Sequence, residues 1–160
     1  MDMISEVKAV YEVSKLFEGI TDYANAPYIE HCQIVALRAK SMAKSLNLPE
    51  YKVQEIYLAG LYHDVIEDLN YTKEDIERMT GSKTVANMVE RLTHKPDTNY
   101  DDYFNKILED RYCSIVKWAD ACHNSEVSRF STMKERKKRL NRCIDYFKKS
   151  VILFDRINHE

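Results

Sequence analysis

The chain has 160 residues, 44% of them hydrophobic and 31% charged, and its formal net charge at pH 7 is −2. This length suits one domain with its own hydrophobic core, which we predict to span residues 1–160. The near-neutral charge gives no bulk attraction to nucleic acid, and no apolar run approaches the roughly 18 residues that a membrane-spanning helix requires.

Glycine, proline and cysteine usage narrows the fold class and the cellular compartment. The chain has only three glycines and three prolines, too few for the turns of a hairpin-rich β protein. The four cysteines show neither CxxC pairs nor zinc-finger spacing, so we expect reduced thiols; they are Cys32, Cys113, Cys122 and Cys143. Residues 1–6 are acidic where a signal peptide is basic. These features predict a cytoplasmic protein.

In the first half of the chain, apolar residues recur at helical spacing and predict three helices. The first ends near Gly19, and residues 21–26 then form a loop. Pro27 suits the first turn of a second helix that runs to about Leu46, and Pro49 opens a third. The apolar stripe of the first helix comprises Val7, Val10, Tyr11, Val13, Leu16 and Phe17. In the second helix we expect the core to be faced by Ile34, Val35, Leu37, Ala39, Met42 and Leu46.

The second half of the chain continues the helical pattern. Thr72, followed by Asp75, is predicted to cap one helix, and Ser82 to cap the next. Residues 93–99 form the clearest loop, and long helices are predicted from about Arg111 and over residues 134–158. No strand alternation or internal repeat interrupts this pattern. The sequence therefore predicts an all-α bundle of seven to nine helices.

One short segment, residues 63–68 (HDVIED), concentrates side chains that bind metals or transfer protons. On a helix, His63 and Glu67 would lie one turn apart, and so would Asp64 and Asp68. Carboxylates this close repel one another unless a cation or another positive partner offsets their charge. The segment therefore predicts a site for a divalent cation.

Two further residues could complete a ligand set. His31 lies among apolar residues of the predicted second helix, although a single histidine there is more often an ordinary core or surface residue. Asp120 lies in the most apolar segment of the chain, where burial of an unpaired charge would be costly. Two imidazoles and two carboxylates would suit Mn²⁺, Fe²⁺, Zn²⁺ or Ni²⁺ better than Ca²⁺, which prefers oxygen ligands.

The order His31, His63-Asp64, Asp120 resembles that of the HD-domain metal-dependent phosphohydrolases. Within that superfamily, residues 27–31 (PYIEH), 63–68 (HDVIED) and 117–124 (KWADACHN) are similar to the PYIxH, HDxxED and KLADRLHN segments of one branch. That branch comprises the guanosine tetraphosphate (ppGpp) 3′-pyrophosphohydrolases, both SpoT-type and small Mesh1-like ones. The similarity covers roughly residues 10–130, and three motifs in the right order are far more specific than any one. It implies a compact helical HD-domain bundle.

By this resemblance, one divalent cation, usually Mn²⁺, would be held by His31, His63, Asp64 and Asp120. Fe²⁺, Zn²⁺, Ni²⁺ and Co²⁺ are alternatives. Glu67 and Asp68 would orient or deprotonate the attacking water and protonate the leaving oxygen. Asn124 would contact the sugar-phosphate part of a nucleotide. Lys117 would offset phosphate charge or else extend to solvent.

The chain departs from this branch in the residues that would contact the substrate. Asp22 and Tyr23 occupy a loop where the family has basic residues, including an arginine that stacks on guanine. Tyr23 could still stack on a base, whereas Asp22 would repel phosphate. After Asn124, residues 125–127 (SEV) replace the family's Met-Arg-Thr. The metal ligands are therefore retained while the substrate contacts differ.

Several other polar and aromatic residues can be explained by a structural role alone. We expect His123 to be structural, and His94 has no supporting neighbours in sequence. Tyr100, Tyr103 and Phe104 could stack on a base, but their helical spacing also suits simple packing. The basic run at 134–142 opposes the helix dipole, so something should compensate it. We interpret the run as a solvated or partner-facing helix end.

The leading hypothesis is a hydrolase that removes pyrophosphate from the 3′ position of a guanosine nucleotide. The alternative is a nucleotidase of the same superfamily that releases phosphate from a nucleoside monophosphate. A non-catalytic nucleotide sensor is less favoured, because the four ligands and Glu67 are all retained. The predicted partner is a small nucleotide; we expect no membrane partner, the sequence does not favour nucleic acid, and it leaves the oligomeric state open.

Overall fold

The computed structural model describes residues 3–159. Met1, Asp2 and Glu160, which belong to the predicted domain, lie outside the described residues, and so does the start of the acidic N-terminal segment. Within that range the chain forms nine α-helices and one 3₁₀ turn, Val127–Arg129, and no strand beyond a single bridge between Thr21 and Pro27. The helices are α1 (Glu6–Leu16), α2 (Tyr28–Ser45), α3 (Glu50–Tyr62), α4 (Val65–Leu69), α5 (Lys73–Thr80), α6 (Lys83–Leu92), α7 (Tyr100–Leu108), α8 (Arg111–Asn124) and α9 (Met133–Asn158). The predicted all-α bundle is confirmed.

Side-chain caps fix where several helices begin. The Thr72 hydroxyl accepts the backbone N–H of Asp75, and the Asp75 carboxylate accepts that of Thr72, which confirms the predicted cap of α5. Ser82 caps α6 in the predicted place. The basic start of α9 is compensated in the same way, because Glu135 accepts the backbone N–H of Thr132 in the first turn.

The central helix is α3, which packs against α1, α2, α6 and α8. Its crossing with α2 is close because Gly60 has no side chain. A Cβ at Gly60 would lie 2.9 Å from the Cα of Ala36. This close approach brings the N-terminal half of α2 against the C-terminal end of α3, where His31 and His63 lie.

In two helices, some residues that were predicted to face the core are exposed. Leu37 of α2 is 58% exposed, so the expectation that it faces the core is wrong. The contact face of α2 is instead a stripe of small residues, Cys32, Val35, Ala36, Ala39 and Ala43, which suits close helix crossing. In α1, Val7 and Tyr11 are 83% and 64% exposed, because only the edge with Ala9 and Val13 is buried.

The long helix α9 packs on α8 through Cys143, Ser150, Leu153 and Ile157. Five apolar residues of α9 form a neighbouring stripe that is largely exposed: Leu140, Ile144, Phe147, Val151 and Phe154. A third edge of α9 borders a cavity described below. No helix within residues 3–159 combines the length and apolarity needed to cross a membrane.

Candidate functional site

The crossing of α2 and α3 brings two of the predicted metal ligands together. The Nε2 atoms of His31 and His63 lie 3.3 Å apart. Asp64 Oδ2 lies 2.8 Å from His63 Nε2 and 3.6 Å from His31 Nε2. Ligand atoms of these three residues all fall within 4.8 Å of one another, a spacing at which one metal ion could be bound.

Helix α8 contributes the fourth predicted ligand. Asp120 Oδ1 lies 3.4 Å from His31 Nε2 and 3.8 Å from His63 Nε2. The HDVIED segment differs from the predicted continuous helix, because α3 ends at Tyr62 and α4 begins at Val65. The break at His63 and Asp64 lets both side chains reach the same point.

Both imidazoles have a hydrogen-bond partner on the side away from this cluster. His63 Nδ1 lies 2.8 Å from the carbonyl oxygen of Gly60, which can only accept, so Nδ1 carries the proton. His31 Nδ1 lies 2.6 Å from Nδ1 of His123. Each ring therefore directs Nε2 towards the cluster, as expected of metal-ligating histidines.

The two carboxylates are held from behind as well. The Tyr28 hydroxyl donates to Asp64 Oδ2 at 2.7 Å. Lys117 Nζ donates to Asp120 Oδ2 at 2.8 Å, and Asn124 Nδ2 donates to Asp120 Oδ1 at 2.5 Å. Lys117 thus extends to Asp120 and not to solvent, and it lines the cavity; its role against phosphate stays a prediction. The donor set and its supporting contacts fit a divalent cation.

The charged groups of the cluster shift one another's pKa values. Burial lowers the pKa of His31, but its hydrogen bonds to Asp120 and Asp64 outweigh burial and raise the pKa to about 9. Burial likewise lowers the pKa of His63, and the Asp64 charge raises it overall. The histidines in turn hold the pKa of Asp64 well below its usual range, despite burial. The carboxylates are therefore stabilised by neighbouring positive charge, which the imidazoles supply to Asp64 and Lys117 and the imidazoles supply to Asp120.

The predicted acid–base residues lie beside the cluster. Burial and the nearby Asp64 charge raise the pKa of Asp68. Glu67 Oε2 accepts the backbone N–H of His94 at 2.8 Å, so the loop of residues 93–99 holds this carboxylate. Both residues line a cavity of about 450 Å³ together with His31, Asp64 and Asp120.

The structure adds residues to this cavity that the sequence interpretation missed. They are Arg129, Arg142, Tyr146 and Lys149. Tyr100 and Tyr103, considered above for base stacking, line the cavity as well, and so does His94. Arg142, Tyr146 and Lys149 are spaced four and three residues apart on one edge of α9, a helical pattern that could have been found in the sequence. Arg129 has no such signal.

Asp22, expected to repel phosphate, has its own partner. Its carboxylate accepts the backbone N–H groups of Ala24 and Ala26 at 2.8 and 3.0 Å and forms an ion pair with Arg129. Burial raises the pKa of Asp22, but the Ala26 hydrogen bond and Arg129 together lower it. The charge of Asp22 is therefore offset within the protein.

Tyr23 lies against cations of α9. The guanidinium groups of Arg139 and Arg142 lie 4.8 and 4.4 Å from its ring centroid. Farther along the same edge of α9, Lys149 Nζ lies 4.1 Å from the ring centroid of Tyr100. Part of the basic run thus packs on the ring of Tyr23, which lines the cavity.

His123 is buried, as expected for a structural residue, but it contacts a predicted ligand directly. Burial and the nearby charges of Arg129, His31 and Arg38 lower its pKa to about 3, so the ring is neutral. A larger cavity of about 760 Å³ lies beyond Tyr103, along α6 and α7, and the predicted metal ligands do not line it.

Comparisons of sequence reveal similarity to characterised hydrolases. Residues 28–125 match the family model described as HD domain. The bifunctional (p)ppGpp synthase/hydrolase SpoT of Escherichia coli (strain K12) is 31% identical over 136 residues, which cover 77% of this chain and 18% of that protein. The guanosine-3′,5′-bis(diphosphate) 3′-pyrophosphohydrolases of Escherichia coli O157:H7 and Shigella flexneri are similar to the same extent. The chain thus spans 18% of the length of these relatives.

The fold is similar to that of a solved structure described as a metazoan orthologue of SpoT that hydrolyses ppGpp and plays a role in starvation responses. The TM-score is 0.67, and the match covers 99% of this chain and 89% of the other. At 17% sequence identity, this likeness establishes a shared fold. It agrees with the helical bundle that surrounds the cluster.

Proposed function

This chain belongs to the HD domain family, and we propose that it is a metal-dependent phosphohydrolase that removes pyrophosphate from the 3′ position of a ppGpp-type nucleotide. The observation that carries the proposal is the convergence of His31, His63 and Asp64 within 4.8 Å beside a cavity whose wall carries both basic and acidic side chains. Asp120 Oδ1, at 3.4 Å from His31 Nε2, supplies the fourth ligand. The names of the SpoT-type relatives support the same activity.

We infer that one divalent cation is bound by these four residues, with Mn²⁺ as the first choice and Fe²⁺, Zn²⁺, Ni²⁺ or Co²⁺ as alternatives. When bound, such a cation lowers the pKa of water and polarises a phosphoryl oxygen. Tyr28 and Lys117 hold Asp64 and Asp120 in place by donating to their carboxylates. The ligands are thereby oriented before the cation binds.

Proton transfer is assigned to the acidic residues beside the ligands. Asp68, whose pKa is raised by burial and by Asp64, can keep a proton closer to neutral pH than an ordinary aspartate and donate it to the leaving oxygen. Glu67, held by the His94 N–H, can accept a proton from the attacking water. Both lie on the cavity wall next to the ligands.

The basic side chains of the cavity wall support this substrate class. A guanosine 3′,5′-bis(diphosphate) carries one diphosphate on the 3′ oxygen and one on the 5′ oxygen of its ribose. We infer that the 3′ diphosphate lies at the ligand cluster beside Lys117 and Asn124, while Arg142 and Lys149 bind the 5′ diphosphate. The volume of about 450 Å³ falls within the usual range for small-ligand sites. Tyr23, which lines the same cavity, is the proposed contact for the base.

Metal-loaded protein incubated with a nucleotide panel provides the test. The panel contains ppGpp, nucleoside monophosphates and deoxynucleotides, and products are separated by ion-exchange chromatography. Pyrophosphate release from ppGpp by the wild type but not by Asp64→Ala is the expected result. Phosphate release from another nucleotide would support the nucleotidase alternative and rule out ppGpp as the substrate class. Binding without turnover would indicate a nucleotide sensor. A cytoplasmic location is part of this proposal, since ppGpp is an intracellular nucleotide.

A further inference from the structure

A second imidazole lies directly behind the proposed metal ligand His31. His123 on α8 places Nδ1 at 2.6 Å from His31 Nδ1, and the two rings meet edge to edge, with planes inclined at 25° and centroids 4.9 Å apart. Both residues are 4% exposed, so water does not readily compete for this hydrogen bond. The contact joins residues that are 92 positions apart in sequence.

One nitrogen of this pair must donate and the other must accept. His31 Nε2 faces the carboxylates of Asp64 and Asp120, at 3.6 and 3.4 Å. A cation at that position requires a lone pair on His31 Nε2, which leaves the ring proton on Nδ1. His123 Nδ1 is then the acceptor, and its own ring proton lies on Nε2.

The other proposed imidazole ligand shows the same arrangement with a different acceptor. His63 Nδ1 donates to the backbone carbonyl of Gly60 at 2.8 Å, and its Nε2 also faces the cluster. Within residues 3–159, the partner of His31 Nδ1 is not a backbone carbonyl but the imidazole of His123. The two ligands are therefore oriented by one main-chain acceptor and one side-chain acceptor.

His123 is itself held by the cavity wall. Its backbone carbonyl accepts from Arg129 Nη1 at 3.0 Å, and Arg129 pairs with Asp22 of the loop before α2. The residue also lies three positions after Asp120 on α8. Its location thus depends on the same helix that carries the fourth ligand.

We propose that His123 is a positioning residue for the metal site: by accepting the Nδ1–H of His31 it fixes the tautomer and orientation in which His31 Nε2 binds the cation. This inference rests on the proposed metal site and extends it to a residue outside the ligand set. Removing such a supporting acceptor typically weakens metal binding by roughly 10–100-fold. A role in packing alone would depend on the size of residue 123 and not on an acceptor atom.

Two substitutions separate these roles. His123→Leu retains a side chain of moderate size but removes the hydrogen-bond acceptor. His123→Asn places an amide oxygen, which can accept, near the position of Nδ1. Metal-free protein comprising residues 1–160 is titrated with MnCl₂ by calorimetry, and the visible spectrum of the Co²⁺ form reports the geometry of the ligands. Circular dichroism and thermal unfolding establish that each variant is folded, and His123→Ala replaces the leucine variant if that variant does not fold.

We expect His123→Leu to raise the Mn²⁺ Kd by roughly 10–100-fold and to alter the Co²⁺ spectrum, and His123→Asn to return both close to the wild type. An unchanged Kd and spectrum in folded His123→Leu, or equal losses in the two variants, would overturn the positioning role while leaving the metal site intact. Wild type that binds Mn²⁺ no better than Asp64→Ala would overturn the metal site and this inference together. None of these measurements depends on which nucleotide is hydrolysed.

Discussion

Gly60 of α3 lies against the backbone of α2 so closely that a Cβ at this position would be 2.9 Å from the Cα of Ala36 and 3.3 Å from its backbone nitrogen. The carbonyl oxygen of the same glycine accepts from His63 Nδ1 at 2.8 Å. Gly60 therefore sets both the distance between the helices that carry His31 and His63 and the orientation of one of these rings.

Gly60→Ala should separate α2 from α3, because backbone atoms cannot yield as a flexible side chain would. We expect the free energy of unfolding to fall by about 1–3 kcal/mol and Mn²⁺ affinity to fall with it. Urea unfolding and calorimetry measure the two effects. Leu37→Ala on the exposed face of α2 is the matched control and should change neither. Wild-type stability of Gly60→Ala would contradict the close packing of α2 and α3 at this position.

Glu67→Ala should leave Mn²⁺ affinity near the wild-type value and lower kcat by roughly 10²–10⁴-fold, because the side chain handles a proton and is not a ligand. Glu67→Gln separates chemistry from loop positioning, since the amide oxygen can still accept the His94 N–H. Both variants should lose activity equally. Recovery of the rate in Glu67→Gln would show that the carboxylate only holds the loop.

The cationic side chains that line the cavity should strengthen binding of the nucleotide substrate. Lys149→Ala should raise KM for the hydrolysed nucleotide by roughly tenfold or more, because a charge-assisted hydrogen bond to phosphate is lost, with a smaller change in kcat. Lys148→Ala is the matched control, because its neighbour Lys149 lines the cavity whereas Lys148 is exposed. Steady-state kinetics at fixed ionic strength measure both. Equal effects of the two substitutions would remove Lys149 from the substrate site.

The stability of the metal-free protein should depend on pH through His31. Its pKa is raised from 6.5 to about 9 in the folded state, so its stabilising contribution is fully present below pH 6.5 and is lost as pH rises through about 9. The lowered pKa of Asp64 acts in the opposite sense: its contribution is present above about pH 4 and is lost as pH falls. Urea unfolding with EDTA between pH 4 and 10 should therefore show an alkaline decline that His31→Gln flattens.

Added Mn²⁺ should reverse that alkaline decline. A cation replaces the proton on His31, so its binding releases a proton below about pH 9 and its affinity falls as pH is lowered. Calorimetry in two buffers with different ionisation enthalpies measures the released protons. Binding without proton release at pH 7 would contradict the assignment of His31 as a ligand.

The helices and the start of α5 and α6 could be predicted because these features depend on short-range interactions. Apolar residues at helical spacing, and caps such as Thr72 with Asp75, involve neighbours within one or two turns. The order of His31, His63-Asp64 and Asp120 likewise carried the ligand prediction, because a spaced motif is visible without coordinates. What the sequence alone determined was therefore the all-α class and the set of candidate ligands.

Only the tertiary structure decided which side chains surround those ligands. The pairs His31–His123 and Asp22–Arg129 join residues 92 and 107 positions apart, and no local pattern relates them. The outward positions of Leu37 and of the α9 stripe have the same origin, because the face that a helix buries depends on the angle at which it crosses its neighbours. Helix formation is local, whereas the cavity is set by the crossing of α2, α3, α8 and α9.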